Sequence, residues 1–383
     1  DFRDDAPLPQ VGPGQGYYAT TAFADEMIGF LKEHAEKYGA QPFFGYLAFV
    51  APHFPLHAPE GDIAKYRDRY REGWDVLREA RWRRVRELGV VDCGLAAREP
   101  GFSPRYFKPE IMGQLGGGES RYPVAWSDLS EEQKAFQSTK MAIHAAMVDR
   151  MDREIGRGLG QLRAMGTVED TVVFFLSDNG ADATLLIRGD GHDPSAPPGS
   201  ARSYLCLGPG FASASNAPLR RYKVWTHEAG IATPMIAHWP RGIVARGEWR
   251  RDLGHVIDLV PTILELAGIS SGAEWNGAQA PPFPGRSLVP AFAKDGSVTR
   301  DHMFFHHEGN RAIRRGDLKL VSAREDGDAW ELYDLSRDRC EAEDLAASMP
   351  GMVKELSALW ERCEARFRED AGPVVGLDRP PGP

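Results

Sequence analysis

Three segments of the chain place a chemically useful side chain directly beside an apolar run. His53 follows the apolar residues 43–51, Asp178 and Asn179 follow a second apolar run, and Lys223 precedes a third. An imidazole can supply a proton near neutral pH, and an ammonium group can stabilise a negative charge. Carboxylate and amide oxygens can hold a hard cation. The residue types therefore indicate acid–base and electrostatic chemistry at the ends of structural elements.

The adjacent pair Asp178-Asn179 offers two hard oxygen donors with no soft ligand beside them. Such oxygens suit Ca²⁺ or Mg²⁺. Taken alone, an Asp-Asn-Gly sequence is more often a turn, because Asn-Gly tolerates positive φ. The apolar run before it, residues 171–176, favours a loop at the end of a buried strand over a hairpin.

Each of His53 and Lys223 also has an ordinary, non-catalytic interpretation. A single histidine is more often a structural residue than a catalytic one, and a basic loop is more often simply solvated. His53 lies between two prolines, whose fixed backbone suits a presented side chain, and His57 is a weaker rival. The loop of Lys223 leads through residues 230–234 straight into an apolar run, so it borders the predicted sheet.

The elements that must position these residues alternate between helices and apolar strands. The hydrophobic spacing predicts helices over about 19–38 and 131–165, the second beginning at a capping box. Apolar runs predict strands over 42–50, 171–176 and 234–239. This alternation indicates an α/β fold with a mostly parallel sheet flanked by helices. Ligands bind such sheets at the carboxyl ends of the strands, where His53, Asp178 and Asn179 stand.

Near residue 300 the pattern changes to short strands with polar turns. Four strands and one helix are predicted there, over about 304–307, 311–314, 318–321, 330–335 and 351–368. We therefore expect four parts: a core over 1–295, an irregular insertion within it at about 61–127, a C-terminal α+β subdomain over 296–371 with an antiparallel sheet and one helix, and a loose tail over 372–383.

Composition limits the partners and leaves the redox state open. The 383 residues carry 46 Lys and Arg against 55 Asp and Glu, a net charge of −9, which argues against nucleic-acid binding. No apolar run approaches the ~20 residues of a transmembrane helix. Cys93, Cys206, Cys340 and Cys363 are compatible with one or two disulfides or with free thiols.

Residues 61–90 carry a dense run of arginine. Such a run is usually a solvated helical face. A patch that attracts an anionic substrate is the alternative, and the insertion at 61–127 would then form part of a substrate pocket.

Several motifs together give the chain a resemblance to a known family. The matching stretches are Ala51-Pro52-His53-Phe54-Pro55-Leu56, Met147-Val148-Asp149-Arg150-Met151-Asp152, Phe175-Leu176-Ser177-Asp178-Asn179-Gly180, Arg221-Tyr222-Lys223 through Thr226-His227-Glu228-Ala229-Gly230-Ile231, and Trp330-Glu331-Leu332-Tyr333-Asp334-Leu335. In this order and combination the chain resembles the sulfatase family, of the alkaline-phosphatase-like superfamily. The step Glu228-Ala229-Gly230 departs slightly from the family's usual Glu-Gly-Gly.

The resemblance implies a role for each candidate residue. Asp178 and Asn179 look like two ligands of a single Ca²⁺, with Mg²⁺ less favoured. His53 looks like the histidine that contacts the sulfate ester and protonates the leaving oxygen, and Lys223 like the lysine bound to sulfate. The implied substrate is a small-molecule or glycan sulfate ester, and the implied location is periplasmic or secreted.

The family's nucleophile is missing from this sequence. Sulfatases use a formylglycine made from Cys or Ser in a Cys/Ser-x-Pro/Ala-x-Arg motif, and none of the four cysteines stands in one. The family's paired metal-binding aspartates are missing too, and two oxygen ligands fall short of the ~6 that Ca²⁺ takes. We expect a sulfatase chain without its N-terminal portion, inactive as it stands, with an exposed apolar edge beside the strand that leads to His53.

Two other functions remain open from the sequence. A phosphodiesterase or phosphonate hydrolase of the same superfamily would share much of the architecture. A non-catalytic relative kept for binding would explain the missing nucleophile, although the candidate residues His53, Asp178, Asn179 and Lys223 are all present.

Overall fold

The computed structural model describes residues 2–12, 14–39, 41–189, 191–270, 274–275, 277–279 and 283–372. Its contacts divide the chain into two compact units. The first unit comprises Asp1–Arg84, Arg98–Ala217 and Thr233–Glu248, and the second comprises Val85–Ala97, Pro218–Ala232 and Trp249–Pro383. The predicted domain limit after residue 295 stays a prediction. The predicted loose tail lies almost wholly outside the described residues.

The described residues form ten helices and ten strands. The helices are α1 Ala19–Lys37, α2 Glu60–Ile63, α3 Gly73–Glu87, α4 Pro109–Leu115, α5 Glu131–Ala164, α6 Pro209–Asn216, α7 Glu228–Ile231, α8 Leu259–Leu266, α9 Val289–Ala293 and α10 Pro350–Ala371. The strands are β1 Phe2–Arg3, β2 Ala6–Pro7, β3 Val173–Leu176, β4 Met235–His238, β5 Glu274–Trp275, β6 Ala278–Gln279, β7 Met303–His307, β8 Asn310–Arg315, β9 Leu318–Ser322 and β10 Trp330–Asp334. No helix in the described ranges is long and apolar enough to span a membrane.

Helices α1 and α5 confirm the two long helices predicted from hydrophobic spacing. The predicted capping box is present, because the Ser130 side chain accepts a hydrogen bond from the Gln133 backbone while Gln133 accepts one from Ser130. The two helices pack along each other through polar contacts, among them Thr21 Oγ1 donating to Glu154 at 3.0 Å. Gly166 ends α5 with a φ of 71°, a conformation that glycine adopts without strain.

The core of the first unit forms along the inner face of α5. Ile143 and Met147 pack there against Leu56, which follows the His53 turn, and against Leu205. Leu56 is also fixed by its backbone, whose N–H donates to the Leu205 carbonyl at 2.9 Å. The chain leaving the His53 turn is therefore anchored to the core.

The strand predicted over residues 42–50 is wrong as a buried central strand. This segment forms no ladder with any described strand, and Phe44, Tyr46 and Val50 are 72%, 80% and 62% exposed. A run of apolar residues indicates a segment that favours burial in a sheet. A strand forms only where a neighbouring strand supplies hydrogen bonds to its backbone. The exposed apolar edge expected beside this segment stays a prediction, because the segment itself is not a strand.

The strands predicted over 171–176 and 234–239 are present as β3 and β4, but the expectation that neighbouring core strands are parallel is wrong for this pair. They run antiparallel, with Val173 opposite His238 and Leu176 opposite Met235. The expectation that they are buried is wrong too, since Phe175 and Ile236 are 43% and 59% exposed. Apolarity on both faces of a run fixes neither the direction of a strand nor the layer that would cover it. The carboxyl end of β3 thus lies beside the start of β4.

The arginine-rich stretch is a charged helical surface, as its composition indicated. Helix α3 carries part of it, and exposed arginines of this stretch pair with local acids, such as Arg67 with Glu60 at 2.8 Å and Arg83 with Glu79 four residues earlier. The helix is held by Trp74, which is fully buried and donates to the Val124 carbonyl at 2.9 Å. These pairs favour the solvated face over a patch for an anionic substrate.

The antiparallel sheet and helix predicted for the C-terminal part are confirmed. The sheet order is β10-β9-β8-β7, and all three pairings are antiparallel. Helix α10 covers one face, where Leu356 and Trp360 pack on Ile313, Leu320 and Leu332. The Trp360 indole N–H donates to the Phe305 carbonyl at 3.1 Å, so the polar edge of the ring is satisfied as well.

One disulfide resolves part of the open question about the cysteines. Cys93 and Cys340 are bonded across 247 residues of sequence, while Cys206 and Cys363 are free. Both bonded cysteines are buried in a small apolar cluster of the second unit with Val91 and Ala96. The bond ties part of the predicted insertion to the residues that follow β10.

Loss of this disulfide is predicted to lower the free energy of unfolding by about 2–5 kcal/mol, because the unfolded chain gains freedom once the link is cut. Urea unfolding of a Cys93→Ser, Cys340→Ser variant measures the effect. Dithiothreitol should destabilise the parent chain similarly and leave the variant unchanged. Equal stability of parent and variant would contradict the prediction.

Candidate active site

His53 lies in a tight turn of the first unit with its side chain exposed. Its backbone N–H donates to the Val50 carbonyl at 3.0 Å, and its ring nitrogen Nδ1 lies 2.7 Å from the Phe54 carbonyl. Since a carbonyl only accepts hydrogen bonds, Nδ1 carries a proton. Within the described part of the chain, Nε2 has no partner and is free to contact a ligand.

His57, the weaker candidate, has a structural role in the first unit. Its Nε2 lies 2.8 Å from the Ser203 carbonyl, its own carbonyl accepts from the Tyr18 hydroxyl at 3.0 Å, and the ring is half-buried. Burial lowers the pKa of the His57 imidazole from its ordinary value, so the neutral ring is favoured. This geometry supports His53 rather than His57 as the presented imidazole.

Asp178 and Asn179 lie in the loop directly after β3. Ser177 Oγ donates to the Asn179 carbonyl at 3.0 Å, and the Thr233 hydroxyl, just before β4, donates to the Ser177 carbonyl at 2.8 Å. The loop is further held by Asn216 of α6, whose side-chain oxygen accepts from the Ala181 N–H at 2.8 Å. These bonds shape the loop through its backbone.

The side-chain oxygens of this loop are left for another partner. Asp178 is exposed, and no described cation pairs with its carboxylate. The Asn179 amide nitrogen donates to the Gly180 carbonyl at 3.0 Å, while its side-chain oxygen accepts no hydrogen bond from the described residues. Two hard oxygens fit a Ca²⁺ or Mg²⁺ ion in type but not in number. No group of three or more metal-binding side chains occurs among the described residues.

Lys223 lies in the second unit, just before α7, on a loop of unusual backbone shape. Arg221 and Val224 on either side of it have positive φ values of 73° and 88°. That conformation is costly for a residue with a side chain, above all for a β-branched one. The Lys223 side chain is half-buried, and no described carboxylate pairs with it. Its ammonium group is therefore available for an anion.

The loop keeps this shape because its neighbours are held tightly. Buried Asn310 donates to the Val224 carbonyl at 3.1 Å, and the Trp225 indole donates to Glu325 at 3.1 Å. Gly230 permits the close return of the chain, since a Cβ there would lie 1.9 Å from the Trp225 carbonyl oxygen. Ala229 is not among the residues of positive φ, so alanine is accommodated there without backbone strain.

A buried cluster of charges joins this loop to the C-terminal sheet. Lys319 of β9, fully buried, lies 2.9 Å from Glu228 and 2.8 Å from Glu341, and Arg339 contacts the other oxygen of Glu228 at 3.0 Å. Despite burial, the two cations lower the pKa of Glu228 to about 2. Burial raises the pKa of Glu341 to about 7. The two carboxylates thus share one ammonium unequally, and Glu228 is the ionised member.

His227 forms a second buried contact beside Lys223. Its Nε2 lies 3.1 Å from Glu331, which also accepts from Arg220 at 3.2 Å, and Arg220 in turn contacts the Tyr333 hydroxyl at 3.0 Å. Burial lowers the pKa of His227 to about 3, so the ring is neutral. Within the described residues its Nδ1 has no hydrogen-bond partner.

Two family models match the chain. The model described as Sulfatase matches residues 2–269, and the model described as N-sulphoglucosamine sulphohydrolase, C-terminal, matches residues 221–366. The chain belongs to the sulfatase family. The resemblance read from the motifs is thereby confirmed, and with it the α/β fold class with its C-terminal antiparallel sheet.

Relatives and a solved structure agree with this family. An uncharacterized sulfatase of Schizosaccharomyces pombe is 33% identical over 366 residues, which cover 92% of this chain and 62% of that protein. An arylsulfatase of Klebsiella aerogenes is 29% identical over 283 residues, which cover 71% of this chain and 55% of the relative. Ps i-CgsB, solved in complex with k-i-k-neocarrahexaose, aligns at 21% identity with a TM-score of 0.58 over 94% of this chain and 56% of that one. The chain therefore spans less than two thirds of each of these proteins.

The structure places the candidate residues in two groups. His53, Asp178 and Asn179 belong to the first unit and Lys223 to the second. Motif matching did not assign roles to the charges that hold the Lys223 loop. One signal was available, because Lys319 interrupts the apolar strand Leu318–Ser322, and a lone charge in such a strand indicates a buried partner. The identity of that partner, 91 residues away in sequence, carried no signal.

Replacement of Lys319 by Met is predicted to lower the free energy of unfolding by about 3–5 kcal/mol, because it leaves Glu228 and Glu341 buried with too little positive charge. Urea unfolding measures the loss. Lys354→Met, at an exposed position of α10, serves as the matched control and should change stability by less than about 0.5 kcal/mol. Similar unfolding midpoints for the two variants would contradict a structural role for the cluster.

His227 is predicted to make stability fall as the pH drops below about 6.5. The unfolded chain binds a proton there while the folded state, with a His227 pKa of about 3, does not. One such proton changes the free energy of unfolding by up to about 1.4 kcal/mol per pH unit. Comparing His227→Gln with the parent between pH 6 and pH 5 isolates this slope, since Glu341 titrates in both proteins. Parallel pH profiles would show that His227 is not buried in its neutral form.

Proposed function

We propose that this chain is the part of a sulfuric ester hydrolase of arylsulfatase type that holds the sulfate group and part of a metal site. Family membership supports the reaction class. The observation that carries the proposal is that the functional atoms of the motif residues are unused: His53 Nε2, the Lys223 ammonium and the Asp178 carboxylate have no partner in the described part of the chain.

His53 is proposed to contact the sulfate ester and to protonate the leaving oxygen. Cleavage of the bond to sulfur builds negative charge on that oxygen, and a proton delivered to it lowers the barrier. The contact of Nδ1 with the Phe54 carbonyl orients the ring and leaves Nε2 outward. In the imidazolium form, Nε2 is the atom that donates.

Lys223 is proposed to bind the sulfate oxygens. A half-buried ammonium without a carboxylate partner stabilises an anion more strongly than a fully solvated one, because less water competes for its charge. The rigid loop fixes the position of this charge before the substrate arrives, so little reorganisation is needed.

Asp178 and Asn179 are proposed to supply two oxygens to a divalent cation, with Ca²⁺ favoured over Mg²⁺. A carboxylate next to a neutral amide suits one hard cation. When bound, such a cation neutralises charge on the sulfate. The remaining ligands and the formylglycine nucleophile have no motif in this sequence, so we expect no turnover of 4-nitrophenyl sulfate by this chain alone.

The substrate is proposed to be a small-molecule or glycan sulfate ester, and the compartment periplasmic or extracellular. The disulfide between Cys93 and Cys340 supports the second point, since disulfides persist mainly in oxidising compartments.

The proposal is tested by binding rather than by turnover. Calorimetric titration of the chain with 4-nitrophenyl sulfate in the presence of Ca²⁺ should show binding that weakens about ten-fold or more in His53→Gln and in Lys223→Gln, since each removes a charge-assisted contact. Asp178→Asn should abolish the dependence of binding on Ca²⁺, and Mg²⁺ should substitute poorly.

Two exposed positions provide matched controls for these substitutions. His307→Gln and Lys32→Gln should bind 4-nitrophenyl sulfate as the parent does. Tighter binding of 4-nitrophenyl phosphate than of the sulfate would point to a phosphate-ester enzyme of the superfamily. Equal effects in the site and control variants would refute the assigned roles.

A further inference from the structure

A second group of side chains gathers around Phe54, the residue after His53. The His53 ring lies 4.3 Å from the Phe54 ring and the Tyr204 ring lies 6.3 Å from it, both measured between centroids. The Arg188 guanidinium carbon lies 5.8 Å from the same centroid. Phe54 itself packs against the core cluster of the first unit, together with Ile187. An imidazole, a guanidinium and a phenol therefore lie around one aromatic ring that is anchored in the core.

Several exposed arginines of this unit are neutralised by nearby acids. Arg67, Arg83, Arg202 and Arg241 each pair with a carboxylate. Arg188 is exposed, and no carboxylate of the described residues pairs with it. Its position is nevertheless defined, because the guanidinium lies by the face of a ring that is itself held in the core. A localised cation without a counter-charge is suited to bind an anion.

Tyr204 adds a hydrogen-bonding group at the same place. Its backbone N–H donates to His192 Nδ1 at 2.9 Å, which fixes the chain, while its hydroxyl makes no hydrogen bond within the described ranges. Burial raises the pKa of the Tyr204 phenol, and the positive charge of Arg188 opposes that rise. The hydroxyl therefore keeps its proton and can donate a hydrogen bond.

We propose that Arg188 and the Tyr204 hydroxyl form a subsite for a second anionic group of the substrate, next to the sulfate ester at His53. The proposal rests on the function assigned to His53 above and narrows the substrate class to glycans that carry a further sulfate or carboxylate. A guanidinium holds either anion through paired hydrogen bonds. The phenol provides one more donor.

Three disaccharide probes separate this subsite from the sulfate site itself. Lactose 6′-sulfate carries one anion, lactose 6,6′-disulfate carries two, and a monosulfated disaccharide with a glucuronate as its other ring replaces the second sulfate by a carboxylate. Calorimetric titration with Ca²⁺ present should show at least one dianionic probe binding about ten-fold tighter than the monosulfate, which is the effect of one charge-assisted contact. The preferred dianion identifies the group that is recognised.

Arg188→Gln should remove this ten-fold preference while binding of the monosulfate stays as in the parent. Tyr204→Phe should reduce the preference in part. Arg241→Gln, at another exposed arginine of the first unit, is the matched control and should change neither. Equal binding of the three probes by the parent, or equal weakening of all three in Arg188→Gln, would overturn the subsite and leave the proposed function standing. Absence of binding of all three probes to the parent chain would overturn the proposed function and the subsite together.

Discussion

The buried contact between Lys319 and Glu228 is the interaction on which the Lys223 loop depends. Removing two charges from water is expensive, and only close geometry with further partners compensates for it. Here Arg339 and Glu341 supply those partners. Because Glu228 begins α7 only five residues after Lys223, its ion pair with a strand of the C-terminal sheet helps to hold the Lys223 loop. The C-terminal sheet therefore helps to hold the loop that carries Lys223.

The motif around Lys223 contains residues of two kinds. Glu228 and Gly230 have structural roles. Glu228 forms a buried ion pair, and Gly230 allows the chain to approach the Trp225 carbonyl. Lys223 stays without a described partner, and its neighbour Val224 is held at a positive φ. Strain of this kind persists only where the surroundings enforce it. At least these two residues of the motif therefore shape the loop that carries Lys223.

Sequence reasoning succeeded where the signal is local and failed where it depends on distant partners. Helix α5 was predicted almost to the residue, because its capping box and its apolar spacing both lie in adjacent residues. The four strands of the C-terminal sheet followed from short apolar runs separated by turns. Residues 42–50 read as a strand on composition alone, yet hydrogen-bonding partners decide whether a strand forms. The direction of β4 and the partner of Lys319 likewise belong to tertiary structure.

The candidate site residues also depend on tertiary structure, because it decides which cations have an acidic partner nearby. In an acidic chain of net charge −9, exposed cations usually have carboxylates nearby, as Arg67, Arg202 and Arg241 do. Lys223 and Arg188 lack such partners among the described residues, although Lys223 lies on a firmly held loop and Arg188 lies by an anchored ring. A localised cation without a carboxylate partner makes no ion pair within the protein. Its charge can therefore interact with a bound anion instead. Under the proposed function, a few local charges would let an acidic protein bind an anionic ester without a positive field over its whole surface.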